Sequence, residues 1–243
     1  MVLGLDVGSC YTKGVLFDNI VRKQYVIDTA YKPKKAIEDI KKQLTGFNQI
    51  AATGFGRNLV VDADHVMTEI SAFARGAFAV NPAVRTIIDI GGQDSKIIKM
   101  REGRVDRFIM NDRCAAGTGN FVEKIAQALD LTLEKFGRLA LQSTSPATID
   151  SLCVVMAESE ILSLTGEGKE LKDIVAGVCD SLVRRISNLG AQIGIEEPVL
   201  FCGGGALNPG LVKALKRVYQ DVVVPENPQF IGAIGAAVSA RQS

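Results

Sequence analysis

One eight-residue pattern occurs twice and limits what this chain can fold into. Asp6-Val7-Gly8-Ser9-Cys10-Tyr11-Thr12-Lys13 reads D-V-G-x-x-x-T-K, and Asp89-Ile90-Gly91-Gly92-Gln93-Asp94-Ser95-Lys96 reads D-I-G-x-x-x-S-K. Asp6 and Asp89, Gly8 and Gly91, and Lys13 and Lys96 are each 83 positions apart. Apolar runs flank both copies, at 2–5 and 86–88 before them and at 15–17 and 97–100 after them. Each copy therefore predicts a strand, a tight glycine turn and a second strand, that is, a β-hairpin. A third strand is expected after each, at 24–28 and 104–110.

Helical patterns separate these strands, at 33–44 with a proline in its first turn, at 68–78 and at 119–129. Leu171, Ile174, Val175, Val178, Leu182, Val183, Ile186 and Leu189 keep the i, i+3, i+4, i+7 spacing, which predicts a long amphipathic helix over 170–193. A short strand at 198–202 ends in Gly203-Gly204-Gly205, and a small-residue helix is expected over 229–241. The fold class is α/β, with duplicated βββαβα units forming two lobes across a cleft. Lobe I is expected over 1–84 and 230–243, with the first turn. Lobe II is expected over 85–229, with the second turn, the paired cysteines and the Gly-Gly-Gly run. The paired Asp-x-Gly turns resemble the two phosphate motifs of the actin, sugar kinase and heat-shock chaperone ATPase superfamily.

The bulk composition excludes several classes. A formal net charge of +1 gives no basic excess for nucleic acid and no acidic tail. No apolar run approaches the ~20 residues of a membrane span. The N-terminal apolar stretch is short and broken by Asp6, so no signal peptide is read there and a cytoplasmic location is expected. The five cysteines contain no C-x-x-C, and His65 is the single histidine, which excludes a multi-histidine metal site.

Glycine-rich turns present successive backbone N–H groups to phosphate. The turns at Gly8, Ser9, Cys10 and at Gly91, Gly92, Gln93 are thus candidate binders of ATP or ADP. Asp6 and Asp89 are placed to hold a hydrated Mg²⁺, an ion that takes few protein ligands. Thr12, Lys13 and Lys96 lie on the following strands; the lysines reach the phosphates or are simply solvated. Gln93 stands where a residue orienting the attacking water is useful, so Asp6, Asp89 and Gln93 form the candidate catalytic set. Gly203, Gly204, Gly205 and Asn208 sit between a strand and a helix, where a backbone is expected against the adenosine. No G-x-x-x-x-G-K-[ST] motif occurs.

Cys114 and Cys153 are each expected at or near a helix start, where the helix dipole favours an anionic sulfur. Such a pair makes a socket for an iron–sulfur cluster, but a cubane takes four thiolates. A two-fold dimer supplies four, two from each subunit. Cys179, on an apolar helix stripe, and Cys202, at a strand end, read as small buried hydrophobes. Glu158 and Glu160 read as solvated carboxylates in a first helical turn and are left out of the site.

The stretches DVGSCYTK, TGFGR, IIDIGGQDSK, NDRCAAGTGNFVE, CVVMAESE and CGGGALN resemble, in this order, the activator family of 2-hydroxyacyl-CoA dehydratases. That family also serves benzoyl-CoA reductase and double-cubane-cluster proteins. The resemblance covers essentially the whole chain. It implies a homodimer with one bridging four-iron four-sulfur (4Fe-4S) cluster on Cys114 and Cys153, with Gly117 and Gly119 of the motif beside it as cofactor-binding residues. It also implies ATP in each subunit, ferredoxin or flavodoxin as donor, and electron transfer to the partner enzyme. Cys10 stands where the family usually has a hydroxyl residue, and Phe73 where relatives often carry histidine. The alternatives on the same fold are a small-molecule kinase of the sugar kinase type and an actin-like, ATP-dependent assembly protein.

Overall fold

The computed structural model describes residues 1–111, 114–151 and 153–242, so Asp112, Arg113 and Leu152 of the motifs quoted above lie outside the described residues. Two compact units are present: 1–87 with 98–107 and 225–243, and 88–97 with 108–224.

Strands β1 (Val2–Val7), β2 (Tyr11–Asp18) and β3 (Ile20–Asp28) form an antiparallel meander. Strands β4 (Gln49–Thr53) and β5 (His65–Val66) add in parallel on the other side of β1, giving the order β3-β2-β1-β4-β5. The second sheet contains β6 (Thr86–Ile90), β7 (Ser95–Arg101), β8 (Arg104–Asn111), β9 (Val199–Cys202) and β10 (Val222–Val223), in the order β10-β9-β6-β7-β8. The two orders are the same once β6 replaces β1, so the sequence repeat is a repeat of sheet topology.

The central strands read as continuous apolar runs because both of their faces are covered. Leu3, Leu5 and Val7 of β1 pack with Ile37 and Ile40 of α1 (Pro33–Gln43), while Val2 packs on the other face with Ala233 and Ala237 of α8 (Ile231–Gln242). Asp6 interrupts this run, as Asp89 interrupts β6, and both side chains are buried. A carboxylate costs too much to bury without partners, so each marks a site rather than a core position. Helix α2 (Glu69–Val80) opens on Thr68, whose hydroxyl accepts the Ser71 N–H.

The second unit adds four helices between β8 and β9: α3 (Gly119–Ala128), α4 (Leu133–Gln142), α5 (Val154–Gly166) and α6 (Leu171–Ala191). Helix α6 buries Ile174, Val175, Val178, Leu182, Val183 and Ile186 on the stripe its spacing predicts. Phe121 of α3 and Phe136 of α4 fill the centre of that core without exposure, and truncating such a ring costs about 3–5 kcal/mol. Helix α7 (Pro209–Val218) follows β9.

Helix α3 begins at Gly119, where its pattern predicts, with Cys114 ahead of it. Cys114 precedes a single 3₁₀ turn, Ala115–Gly117. The Thr118 N–H and hydroxyl both donate to the Ala115 carbonyl and close the turn. The next N–H groups are drawn sideways onto the β6–β7 turn, so a helix cannot run through from Cys114.

Candidate functional site

Each duplicated turn is built the same way. The Gly8 N–H donates to the Tyr11 carbonyl at 3.1 Å, and the Gly91 N–H to the Asp94 carbonyl at 2.9 Å. Lys13 Nζ lies 3.3 Å from Asp6 Oδ2, and Lys96 Nζ lies 3.4 Å from Asp89 Oδ2. Lys96 is buried and also meets Asp94 Oδ2 at 2.8 Å. Both lysines are therefore engaged with the aspartates, and neither is a merely solvated side chain. Ser9 and Gln93 are exposed at the turn tips, with Cys10, Gly91 and Gly92 half-buried. Thr12 points inward, its hydroxyl 3.0 Å from that of Thr29, so it supports the first turn from behind.

A second duplication appears only in three dimensions. Strand β4 runs beside β1 and ends in Gly54-Phe55-Gly56, and β9 runs beside β6 and ends in Gly203-Gly204-Gly205. Gly54 has φ +94° and Gly203 has φ +81°, a region that favours glycine. A Cβ on Gly54 would lie 2.7 Å from Asp6 Oδ1, and one on Gly203 would lie 2.2 Å from Asp89 Oδ1. Each carboxylate thus faces a neighbouring turn that only glycine can make. Nothing in the sequence reading marks the Gly54 turn as a counterpart of the Gly-Gly-Gly run.

Past Gly205, Asn208 caps α7, its Oδ1 accepting from the Gly210 and Leu211 N–H groups at 2.9 and 3.3 Å. A hollow of about 580 Å³ opens beside this segment, lined among others by Leu141, Ala206, Leu207, Pro209 and Val212. Cys202 is fully buried, and burial, with the Asp89 charge, pushes its thiol well above the usual range. Cys179 is also buried in the apolar core, and burial pushes its thiol up.

Cys114 is exposed and Cys153 half-buried. Cys153 is the N-cap of α5, its Sγ accepting the Met156 N–H at 3.5 Å. Among the described residues, no three His, Cys, Asp or Glu side chains gather as a metal-binding group. Within one chain these two sulfurs can supply at most half of a four-thiolate set.

The two cysteine segments meet at Arg185 of α6. Its guanidinium lies 5.0 Å from the Phe121 ring centroid, on the helix that follows Cys114. It donates to the Ser151 carbonyl, just before Cys153, and to Ser181 Oγ. Burial lowers the Arg185 pKa, against the opposing influence of Cys114 and, more weakly, of Cys153 and Glu160. Arg184 donates to the Ile149 carbonyl at 2.5 Å and to Asp150. Glu160 accepts from the Asp150 N–H at 3.0 Å, the Ser151 N–H at 2.9 Å and the Ser151 hydroxyl at 2.5 Å.

Residues 3–240 match the BadF/BadG/BcrA/BcrD ATPase family. The 2-hydroxyisocaproyl-CoA dehydratase activator of Clostridioides difficile is 40% identical, over 98% of this chain and 94% of that protein. This chain belongs to the BadF/BadG/BcrA/BcrD ATPase family. A benzoyl-CoA reductase subunit of Thauera aromatica is 30% identical to this ATPase, over 97% of this chain and 91% of that one. The structure of the Clostridium difficile activator with bound ADPNP superposes with a TM-score of 0.92 at 38% identity, covering 99% of this chain and 94% of that one. The fold of the ATPase is therefore the actin, sugar kinase and heat-shock ATPase fold that the paired turns led us to expect. No helix among the described residues is long and apolar enough to cross a membrane.

Glu160 is a residue that the sequence alone leaves outside the site. It lies beyond the first turn of α5, and its carboxylate anchors 150–151, immediately before Cys153. Burial alone would raise its pKa. The Ser151 hydroxyl, the two N–H groups and the nearby Arg184 outweigh burial and hold it below its ordinary 4.5. A lowered carboxyl stabilises the fold in its ionised form, so the anchor is complete above that ordinary value and is lost as pH falls through the lowered one. We expect amide exchange at 150 and 151, corrected for intrinsic rate, to lose protection on acidification below that range. In Glu160→Gln the acid-dependent step should vanish. Protection that is flat with pH in the unsubstituted ATPase would rule out this anchor.

Proposed function

We propose that this ATPase is an activator that uses ATP hydrolysis to deliver single low-potential electrons. Its partner would be an enzyme of the 2-hydroxyacyl-CoA dehydratase or benzoyl-CoA reductase type, or a double-cubane-cluster protein. The observation that carries the reading is the content of the second unit. A Gly turn with a buried Asp–Lys pair shares that unit with two solvent-reachable thiols, and Arg185 meets Phe121 and Ser151 of the segments that carry them. The names of the relatives, activators of CoA-ester dehydratases and a benzoyl-CoA reductase subunit, point to the same partners. Kinase and filament readings rest on the fold alone.

In this reading Asp6 and Asp89 are the carboxylates that would hold a hydrated Mg²⁺, which would neutralise phosphate charge, and the N–H groups of Gly8, Ser9, Cys10, Gly91, Gly92 and Gln93 would bind phosphate oxygens. Gln93, exposed at its turn tip, orients the attacking water. Water's oxygen bonds to the γ-phosphorus as the bond to the ADP oxygen breaks; one of its protons stays on the released phosphate and the other passes to bulk water. The Ala206–Leu207 segment and its hollow receive the nucleoside. Cys114 and Cys153 of two copies form a four-sulfur socket for one 4Fe-4S cluster, which supplies one-electron redox chemistry when bound. Arg185 holds the two cysteine segments together. A ferredoxin or flavodoxin is the donor.

Iron and sulfide analysis of anaerobically prepared protein tests this. We expect about four irons and four sulfides per two chains, the content of one cubane. We also expect the reduced protein to oxidise only when Mg-ATP and a partner are both present. A full cluster per chain, no cluster after reconstitution, or equal partner reduction without ATP would each refute the proposal.

A further inference from the structure

The twin turns differ in what backs them. Behind the first, Thr29, one residue past β3, donates its hydroxyl to the Gly8 carbonyl at 2.9 Å and its N–H to the Cys10 carbonyl at 2.8 Å, and it meets the hydroxyl of Thr12 on β2. Behind the second, the same two roles fall to the segment that follows Cys114. The Gly119 N–H donates to the Gly91 carbonyl at 2.8 Å, and the Asn120 N–H to the Gly92 carbonyl at 3.0 Å. Ser95, the counterpart of Thr12, is fully buried and donates its hydroxyl to the Gly117 carbonyl at 2.7 Å.

The link continues to the cysteine. The Gly117 N–H donates to the Cys114 carbonyl at 3.2 Å, and Asn111 Nδ2 donates to the same carbonyl at 2.9 Å. Gly119 cannot carry a side chain here, because its Cβ would lie 2.9 Å from the Gly91 carbonyl oxygen. Three hydrogen bonds thus join the second turn to a segment whose other end is an exposed thiol, while the first turn is backed by Thr29, at the end of its own three-strand meander.

Resting on the nucleotide reading above, we infer that Ser95 is a positioning residue that joins the second Gly turn to the Cys114 segment, so that a nucleotide in the turn alters the setting of the Cys114 thiol. Ser95 touches neither nucleotide nor sulfur. It acts through the Gly117 carbonyl.

The test needs no cluster. Iron-free, reduced protein is treated with iodoacetamide with and without Mg-ADP, and alkylation of Cys10 and Cys114 is followed by peptide mass spectrometry. Cys10 lies in the first turn, so its protection reports nucleotide binding directly. We expect Mg-ADP to protect Cys10 in the unsubstituted protein and in Ser95→Ala. It should change the Cys114 rate about fivefold in the former, the factor equivalent to one net hydrogen bond, and leave it unchanged in Ser95→Ala. A Cys114 rate indifferent to nucleotide while Cys10 is protected overturns the inference, as does a full response in Ser95→Ala. Unprotected Cys10 in the unsubstituted protein defeats the nucleotide reading and the inference with it. Should Ser95→Ala not fold, Gly119→Ala serves. Its methyl group must part the two backbones and shift the Cys114 rate without nucleotide, and an unshifted rate overturns the inference.

Discussion

Asp89→Asn should lower the rate of ATP hydrolysis by about 10²–10³, the loss typical when one preorganised electrostatic contact is removed from a reacting centre. The buried carboxylate has two tasks in the proposed site: it balances Lys96, and it offers an oxygen to hydrated Mg²⁺. Asparagine keeps the shape, which matters because Gly203 leaves no spare room against Oδ1. It also leaves Lys96 with Asp94 at 2.8 Å, so no buried cation is orphaned. Orphaning a buried charge costs about 3–5 kcal/mol, and avoiding it should keep the fold in place. Phosphate release at saturating Mg-ATP, beside a thermal melt, separates the two tasks. Asp94→Asn is the comparison. It loosens Lys96 and spares Asp89, so hydrolysis should fall far less. Equal rates for Asp89→Asn and the unsubstituted protein would remove Asp89 from the site.

What can be read in the sequence follows from what is local. The 83-residue repeat carries the hairpins, the positions of the Asp and Lys residues and the three-strand meander of each sheet, because a strand–turn–strand pattern is written in consecutive residues. The Gly54 and Gly203 turns are equally duplicated in space. Their spacing does not follow the 83-residue offset, and the residue after each first glycine differs, Phe55 against Gly204. Strand β4 is only five residues long, too short for periodicity to single it out. The start of α3 at Gly119 is legible, but the 3₁₀ turn that separates it from Cys114 is not written in the pattern. The draw there is tertiary, since Gly119 and Asn120 bond to the second turn. Glu160, Arg184 and Arg185 act on 149–151 from positions about 10 to 35 residues away, and no pattern in the chain connects them.

Cys153→Ser should abolish iron retention while leaving α5 intact, and this separation makes it the sharper test of the cluster proposal. Cys153 has two possible reasons to be where it is. As an N-cap, its sulfur accepts the Met156 N–H at 3.5 Å, a long contact from a weak acceptor. Serine is among the preferred N-cap residues and performs that task better, with caps worth about 0.5–2 kcal/mol. If capping were the whole role, Cys153→Ser would be silent or stabilising. If the sulfur is a ligand, a dimer loses two of its four thiolates, and a serine hydroxyl, far harder to deprotonate than a thiol, is a much weaker ligand for iron. Iron and sulfide should then fall to background after reconstitution, and ATP-dependent partner reduction should be lost entirely. Helical content and basal ATP hydrolysis should persist, because the Gly turns are not touched by the change. Cys179→Ser is the control for cysteine loss in general. It puts a hydroxyl into a dry core and should lower stability without changing the iron content of the protein that folds. A Cys153→Ser protein that keeps its full iron would leave α5 with a capping cysteine and nothing more.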